Sequence, residues 1–573
     1  MPGEDESGCR LHLTISDDRV NPDKDVVLNP SLLTRLMREG YQFKRRHPDP
    51  YPDDQSLETA RADVTDLVNA TVEIWAQHLN KQHDRDWSVD FWRMLILPWI
   101  CEITQRVYAH WLVFEGIAAD AADGPIRVRT VAGIDRWAFP DLRELQKHLF
   151  EDATFGWWID SVVLAARNDP QLELEPVEID VSVPTFSDRP APVPVTGMRK
   201  FKLSLGHTDI IGARYAGIVL ALYANLLPGR GRAKKMQPPV SPDRRKNSPA
   251  SLLSALDTIL QATVPRTYWD DYKSLEDVGR QFRYRSGRVR VGTIDYWNDT
   301  EKIVAAMGRE AGEKLAVAQH GGFYGQMRYN ILATEGEYRY GRFFTWGFDR
   351  HDDYDADLAP LPSPMLTRVA NTHRETANEL IVVADPIRFG VTRIAPQPRG
   401  VGWLNYCDDT IRYLGALSET PLRRTFFRPY ANAKTDISDE HIVENFPEIG
   451  RVDGDLHARM MNCKLLQLCS PNTTMIIAMA ANVPLLAFWR PEFFTLSKTA
   501  MPYFNRLRDV GVLFDTPEAA AAQVNSIWEN PTEWWGGSEI QSARREWCDR
   551  FARTSRFWLA PWMREIWRLA RTA

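Results

Sequence analysis

The sequence predicts an α/β protein that contains two successive Rossmann-like domains. Strand-like and helical runs alternate after residue 285, and a second alternating series begins near residue 379. This β-α-β rhythm is typical of parallel sheets with helices packed on their faces. The length of 573 residues also exceeds what one hydrophobic core supports, so more than one domain is expected.

In the first series, strands are predicted at 288–294, 314–317 and 343–348, with a helix from 299 to about 314. The second series has strands at 379–384, 424–428, 465–468, 483–488 and 511–514. Ligands of open α/β sheets bind at the carboxyl ends of the strands, so a cleft between two such sheets is the expected site.

The remaining segments give the predicted domain boundaries. Residues 57–111 and 130–175 have helical spacing, with Ser88 as a predicted N-cap, and 173–194 reads as loop with short strands. The predicted units are an irregular segment 1–60, a first domain 61–350, a linker 351–378, a second domain 379–530, and C-terminal helices 531–573 that pack across both domains.

Composition narrows the class of protein. The formal net charge of −6 argues against nucleic acid as a partner. The 6 cysteines form no C-x-x-C pair, which argues against a zinc ribbon or a disulfide framework and suits a reducing cytoplasm. The acidic N-terminus has no apolar run behind it, and no window reaches the ~18 apolar residues of a membrane span. A cytoplasmic location is therefore predicted.

A His-Gly-Gly turn follows the strand predicted at 314–317. His320 is a candidate catalytic residue, and Gly321 and Gly322 free the backbone for close approach to an anion at a helix start. The alternative is a tight turn with a packed histidine.

Two polar clusters follow strands of the second series. Arg428 could bind a phosphate or carboxylate in bidentate fashion, and its alternative is an exposed surface pair. Ser470, Asn472, Thr473 and Thr474 precede an apolar helix, where hydroxyls and N–H groups can hold a phosphate. The same residues would serve equally well as an ordinary N-cap.

Three further segments leave alternatives open. The basic stretch 230–246 reads as a solvated loop or as a docking strip for anionic lipid or acceptor. The aromatic and basic tail 556–569 reads as a helix across the domain junction or at a membrane interface. The acidic stretch 352–357 reads as a solvated linker, because it lacks the glycine and terminal glutamate of a calcium loop. No histidine spacing predicts a metal site.

The chain also resembles a family of bacterial transferases of surface-carbohydrate synthesis. The resemblance runs from about Phe91 to the C-terminus. Its matching segments are 319–325, 345–348, 473–474, 482–491, 502–504, 534–535, 551–555 and Trp558.

The resemblance implies a GT-B glycosyltransferase, similar to Kdo transferases that use a CMP-activated sugar in capsule and O-antigen synthesis. The domain 61–350 would then be the acceptor side and 379–530 the nucleotide-sugar side. Thr473 and Thr474 would contact the donor phosphate, and His320 would be catalytic or would contact the donor carboxylate. Asp295 and Asp299 would be candidate nucleophile or base.

Implied partners are a nucleotide sugar, a glycan or lipid-linked acceptor and the inner face of the cytoplasmic membrane, with no cofactor or metal. The family pattern places an acidic residue where this chain has Ile477, with Glu492 as a substitute ribose contact. Strands usual in relatives also look reduced in 1–50. The second hypothesis is therefore an inactive relative that binds nucleotide or glycan inside an assembly complex.

Overall fold

The structure is a computed structural model. It describes residues 9–14, 20–29, 32–33, 35–36, 39, 41, 49–121, 124–178, 195–206, 216–232, 248–384, 394, 402–428, 442 and 444–572. Every strand pairing in this part of the chain is parallel, in three sheets with helices packed around them. The α/β fold class is therefore confirmed.

The N-terminal sheet has four strands in the order β2-β1-β3-β4. Its strands are β1 (Arg10–His12), β2 (Val26–Val27), β3 (Ile126–Val131) and β4 (Leu172–Val177). The prediction of an irregular segment 1–60 is wrong for β1 and β2. Because these strands have only three and two residues, local patterning does not reveal them, and β1 pairs with a strand more than a hundred residues away.

The helices of residues 54–280 supply most of the first hydrophobic core. Two of them begin at side-chain caps: Asp53 makes a capping box with Ser56, and the hydroxyl of Ser88, the predicted N-cap, accepts from the Phe91 N–H at 3.1 Å. The helices are α1 (Asp54–His83), α2 (Val89–Ala119), α3 (Leu142–Glu151), α4 (Ala153–Arg167), α5 (Gly197–Ser204), α6 (Ala216–Leu226), α7 (Ala250–Thr263), α8 (Arg266–Trp269) and α9 (Tyr272–Arg280). None of the helices in the described ranges has the length and apolar character needed to cross a membrane.

The second sheet has the order β5-β6-β7-β8. Its strands are β5 (Val289–Gly292), β6 (Lys314–Ala318), β7 (Arg342–Thr345) and β8 (Leu358–Pro360), with α10 (Asp299–Glu310), a π-helix (Ala333–Glu337) and α11 (Tyr338–Tyr340) between them. The predicted strands and helix are confirmed. The linker prediction is wrong at its start, since β8 pairs with β7 inside this sheet. The first two sheets and their helices share one apolar core and are called the first lobe.

The third sheet has six strands in the order β11-β10-β9-β12-β13-β14. These are β9 (Ala377–Val383), β10 (Thr425–Arg428), β11 (Gly450–Arg451), β12 (Cys463–Leu468), β13 (Leu485–Phe488) and β14 (Leu513–Phe514). Its helices are α12 (Pro364–Val369), α13 (Gly402–Gly415), α14 (Glu419–Leu422), α15 (Leu456–Met460), α16 (Thr473–Ala481), a 3-10 turn (Pro491–Phe493), α17 (Met501–Asp509) and α18 (Pro517–Ile527). This sheet and its helices form the second lobe, around a core of their own.

Three helices end the chain: α19 (Pro531–Trp535), α20 (Ser538–Phe551) and α21 (Leu559–Arg571). α20 packs on the second lobe against α16 and α17. α21 instead returns to the first lobe, where Trp562, Ile566 and Ala570 are buried against the sheet β5–β8. The Trp562 indole N–H donates to the Pro362 carbonyl at 2.8 Å. Of the two alternatives for the tail, packing therefore holds for this face of α21.

A short antiparallel contact joins the two lobes beyond β6. Met327 bridges Leu496, and the Ser497 N–H donates to the Gln326 carbonyl at 2.8 Å. The acidic stretch also contributes, because Asp352 Oδ1 accepts from the Thr499 N–H at 3.0 Å. These hydrogen bonds fix the relative position of the strand ends in the two sheets.

We predict that Trp562→Ala lowers the free energy of unfolding by about 3–5 kcal/mol, because it leaves a large cavity under α21. Trp567→Ala on the outer side of the same helix should change it by less than about 0.5 kcal/mol, since Trp567 is 40% exposed. Urea denaturation of the two variants measures the difference. Equal losses for both would contradict the packing of α21 on the sheet.

Candidate active site at the junction of the two lobes

The turn that carries His320 begins where β6 ends. Gln319 braces it from both sides: its Nε2 donates to the Gly321 carbonyl at 2.9 Å, and its Oε1 accepts from the Trp346 N–H at 2.8 Å. The predicted helix start is wrong here. The chain continues through bends and turns, with Phe323 at φ 71° and Gly325 at φ 69°, before the helical segment near 331.

His320 lies against a buried carboxylate and a buried phenol. Its Nδ1 is 3.4 Å from Glu337 Oε1, and its Nε2 is 3.2 Å from the Tyr324 hydroxyl. The imidazole is 25% exposed, so one part of it faces solvent while the other is held by these two groups. Such contacts restrict the orientation of the ring, as a carboxylate does for a catalytic histidine.

Glu337 is completely buried at the end of the π-helix. Its Oε2 accepts from the Tyr324 hydroxyl at 2.6 Å. Burial raises the pKa of this carboxyl, while His320 and the hydroxyls of Tyr324 and Tyr296 lower it in part. Burial and the nearby Glu337 also raise the pKa of Tyr296 and Tyr324 well above that of a free tyrosine.

The sequence analysis missed Glu337, Tyr324 and Tyr296 as site residues. The one available indication was that three aromatic residues, Tyr338, Tyr340 and Phe343, follow Glu337 closely. A buried carboxyl in such a stretch usually has a partner, but the partner cannot be read from the chain alone.

On the second lobe, the polar cluster lies at the start of α16. Asn472 is the N-cap, and its side chain accepts from the N–H groups of Thr474 and Met475 at 2.8 and 3.4 Å. Its Nδ2 donates to the hydroxyl of the buried Ser470 at 3.0 Å. The N-cap alternative is thus confirmed for Asn472. Cap and phosphate cradle are compatible, because a helix start retains a positive end of its dipole.

The two turns meet directly. The Gly322 N–H donates to Thr473 Oγ1 at 2.8 Å. A Cβ built on Gly322 would lie 2.6 Å from the Thr473 nitrogen and 2.7 Å from the Asn472 carbonyl carbon. On Gly321 it would lie 3.5 Å from Thr473 Oγ1. The structure therefore brings the glycine turn that follows His320 into contact with Thr473, while the His320 imidazole itself contacts Glu337 and Tyr324.

The other second-lobe candidates lie around this junction. Arg428 ends β10 and pairs in register with Val383, which pairs on its other side with Leu468 of β12. Arg428 is thus two strand spacings, roughly 10 Å, from the end of β12. Its guanidinium donates to the Val452 carbonyl at 2.9 Å. Glu492 lies exposed in the 3-10 turn after β13.

The position expected to be acidic, Ile477, is buried in α16 and packs in the second core. An acidic side chain at this position would be an unpaired charge in an apolar core. The Ile477 side chain therefore lies in the core and offers no hydrogen-bonding group to a ribose.

The two aspartates follow β5 and have other partners. Asp295 accepts from Arg143 at 3.2 Å and from the Trp297 N–H at 3.0 Å. Asp299 is buried, and its Oδ1 accepts from the Tyr268 hydroxyl at 2.5 Å and lies 3.0 Å from Lys302 Nζ. Asp299 therefore forms a buried ion pair with Lys302. Neither the Asp295 nor the Asp299 carboxylate contacts His320 in the described part of the chain.

Within the described ranges, no cluster of three or more His, Cys, Asp or Glu side chains could hold a metal ion. The polar groups at the junction are instead an imidazole, hydroxyls and backbone N–H groups. They can accept a proton on the first-lobe side and stabilise an anion on the second-lobe side.

These features define a two-lobed α/β protein. Its architecture is GT-B-like: two Rossmann-like lobes face each other at their strand ends, and the C-terminal helix returns to the first lobe. The model of the LIC12162 family transferase matches residues 9–566, so the chain belongs to this transferase family.

No curated protein matches the chain. Among solved structures, a mutant of the Thermobaculum terrenum O-GlcNAc transferase has 13% identity and a TM-score of 0.28, and the match covers 56% of this chain and 60% of that one. WaaG, a glycosyltransferase involved in lipopolysaccharide biosynthesis, has 12% identity and a TM-score of 0.27, with coverage of 64% and 98%. The match to the first of these structures therefore spans less than two thirds of that protein's length.

We predict that Glu337→Gln reduces the loss of stability with rising pH. Because burial raises the pKa of Glu337 in the folded state, its stabilising effect is present below the unfolded pKa of about 4.3 and is lost as pH rises through the folded value. As pH rises above about 4.3, the calorimetric unfolding midpoint of the wild type should therefore fall relative to that of the variant. The exposed control Glu529→Gln should run parallel to wild type, and a parallel Glu337→Gln curve would contradict the prediction.

Gly322→Ala should separate the two turns, because its Cβ would meet the backbone of residues 472 and 473 at less than 3 Å. We expect a destabilisation of about 1–3 kcal/mol and faster amide hydrogen exchange in both turns. Gly415→Ala is the matched control, since the added Cβ would meet only Phe446 at 3.8 Å. Unchanged exchange at 319–326 and 471–476 in Gly322→Ala would show that the contact does not hold the turns together.

Proposed function

We propose that this protein is a glycosyltransferase that moves a sugar from a nucleotide donor to a hydroxyl of a glycan or lipid-linked acceptor. The observation that carries the proposal is the 2.8 Å hydrogen bond from the Gly322 N–H to Thr473 Oγ1. It places a histidine held by a buried carboxylate beside the start of a capped helix. Membership of a transferase family supports the same class of reaction.

The second lobe would bind the donor. The start of α16 offers its dipole, and Thr473 and Thr474 offer hydroxyls, to the phosphate oxygen that becomes negative as the sugar leaves. Arg428, at the end of β10, and Glu492, in the turn after β13, would contact more distant parts of the nucleotide. A CMP-linked, Kdo-like donor is the specific form of this proposal, because one phosphate suits a single helix start.

The first lobe would activate the acceptor. His320 takes the proton of the acceptor hydroxyl as the oxygen forms a bond to the anomeric carbon and the bond from that carbon to the phosphate breaks. The phosphate leaves with the electron pair of the broken bond. Glu337 fixes the ring through Nδ1 and stabilises the imidazolium that forms. Asp299 is left out of this step, because its carboxylate is bound to Tyr268 and Lys302.

The proposal extends to biological setting. The reaction would serve synthesis of a surface polysaccharide such as lipopolysaccharide, with the protein in the cytoplasm where nucleotide sugars are made.

The first test is direct binding. CMP, UMP, GMP and their sugar conjugates are added in turn and the thermal midpoint is measured. A ligand at a hundred times its Kd adds about 2.7 kcal/mol of stability.

We expect one nucleotide class to raise the midpoint, and Thr473→Val with Thr474→Val to abolish the rise. The expected discrimination is CMP over UMP. If UMP or GMP acts instead, the Kdo-like donor is wrong and the transferase class stands. If no nucleotide stabilises the chain, the glycosyltransferase proposal fails.

Turnover separates an enzyme from an inactive binding relative. With the sugar conjugate that stabilises the chain, His320→Gln should reduce donor hydrolysis or transfer by about 10²–10⁴-fold while the thermal shift is retained. The exposed His457→Gln on the second lobe is the control and should behave as wild type. Wild-type binding without any transfer or hydrolysis would favour the inactive relative.

A further inference from the structure

An uncharged helix lies on the outside of the first lobe. α6 contains no charged residue, and its outward positions Val219, Leu222 and Leu226 are 46%, 44% and 84% exposed. The spacing of three and four residues places them on one face. Surface helices ordinarily carry charged or polar residues there, so this apolar face needs an explanation.

The apolar side chains of α6 belong to a larger surface. Seven of the ten large apolar residues that are exposed in the described chain lie on α5, α6 or the C-terminal tail. We call these three segments the α5–α6–tail surface, and the seven residues are Met198, Phe201, Val219, Leu222, Leu226, Phe557 and Trp567. Exposed apolar residues are normally scattered singly over a protein surface, so seven of them in one region are unusual.

The three segments are neighbours in space. α6 and α21 pack side by side on the sheet β5–β8, where Leu220 and Ala224 share a core with Trp562 and Ile566. The Arg230 N–H, just beyond α6, donates to the Ala570 carbonyl at 3.0 Å. Near the same end of α6, the Asn225 side chain donates to the carbonyl of Leu205, which caps α5. The three segments therefore lie beside one another on the outside of the first lobe.

The charge of this surface is opposite to that of the chain. Residues 197–206, 216–232 and 556–572 contain nine Arg or Lys and a single acidic residue, whereas the whole chain has a formal net charge of −6. The acidic residue, Glu565, is buried and paired with Arg342 and Arg568. On α21 the outward positions are Arg564, Trp567, Arg568 and Arg571, and the Arg571 guanidinium lies 4.3 Å from the Trp567 ring centroid.

We propose that the α5–α6–tail surface docks on the surface of an anionic lipid membrane. The apolar face of α6 and the ring of Trp567 enter the boundary between headgroups and acyl chains, and the surrounding Arg and Lys contact lipid phosphates. The charge favours an anionic membrane over a second copy of this chain, because a second copy would bring the same basic surface and like charges would oppose that contact. The inference goes beyond the proposed function and does not depend on the donor.

The experiment is flotation of the full-length protein with vesicles. One set contains phosphatidylcholine alone, and the other contains phosphatidylcholine with about 30% phosphatidylglycerol, in the range where each basic residue adds measurably to binding. We expect the protein to float with the anionic vesicles only, and to be released as salt is raised, since screening weakens such contacts.

Two double variants test the two components. Leu222→Gln with Leu226→Gln should weaken partition about tenfold through loss of apolar burial, and Arg564→Gln with Arg571→Gln roughly twentyfold through loss of charge. All four side chains are exposed, so the thermal midpoints should stay at the wild-type value. Met501→Gln, 45% exposed on the second lobe, is the matched control and should partition as wild type.

Two results would overturn the proposal. The first is wild-type protein that stays at the bottom of the gradient with both vesicle sets, or floats equally with both. The second is a dimer in analytical ultracentrifugation that the Leu222→Gln and Leu226→Gln pair converts to monomer, with no vesicle binding, which would assign the surface to a second copy. Nucleotide binding is measured on the same samples. Failure to bind a nucleotide would contradict the proposed function, and failure to bind vesicles would contradict the membrane proposal.

Discussion

The approach of the Gly322 backbone to the start of α16 is the contact on which the rest of the structure depends. A side chain at 322 would overlap the main chain of residues 472 and 473, so only glycine allows the two turns to touch. The turns that follow β6 and β12 meet here, and the antiparallel bridge between Met327 and Leu496 is a second contact between the two lobes. A slip of the lobes by one residue would move the histidine away from the helix start.

The two sides of the junction supply different electrostatics. The first lobe contributes a carboxyl with no exposure, held by phenols and an imidazole, and the low local dielectric makes each of these contacts stronger than it would be in water. The second lobe contributes dipoles without a formal charge, from a helix start and hydroxyls. A site of this kind can move a proton on one side and stabilise a leaving anion on the other.

Sequence patterning predicted the two Rossmann-like units because their strands are apolar runs separated by periodic helices. It could not predict β1 and β2, because strands of three and two residues carry no local pattern; β1 pairs with β3, far along the chain, and β2 pairs with β1. The strand-end rule predicted that His320 and Thr473 lie close together, and their chemical roles stay predictions. Glu337 was missed because its importance comes from tertiary burial beside His320, and no local spacing encodes that contact.

The C-terminal tail shows why one ambiguity could not be resolved from sequence. Aromatic and basic residues at helical spacing suit both a buried junction and a membrane interface. In the structure Trp562 and Ile566 take the buried face, while Arg564 and Trp567 take the outer face. Because a helix residue belongs to one face only, substitutions that weaken packing and substitutions that alter surface chemistry fall on different positions of α21. The same helix can therefore fasten the chain to the first lobe and present a basic, aromatic surface outward.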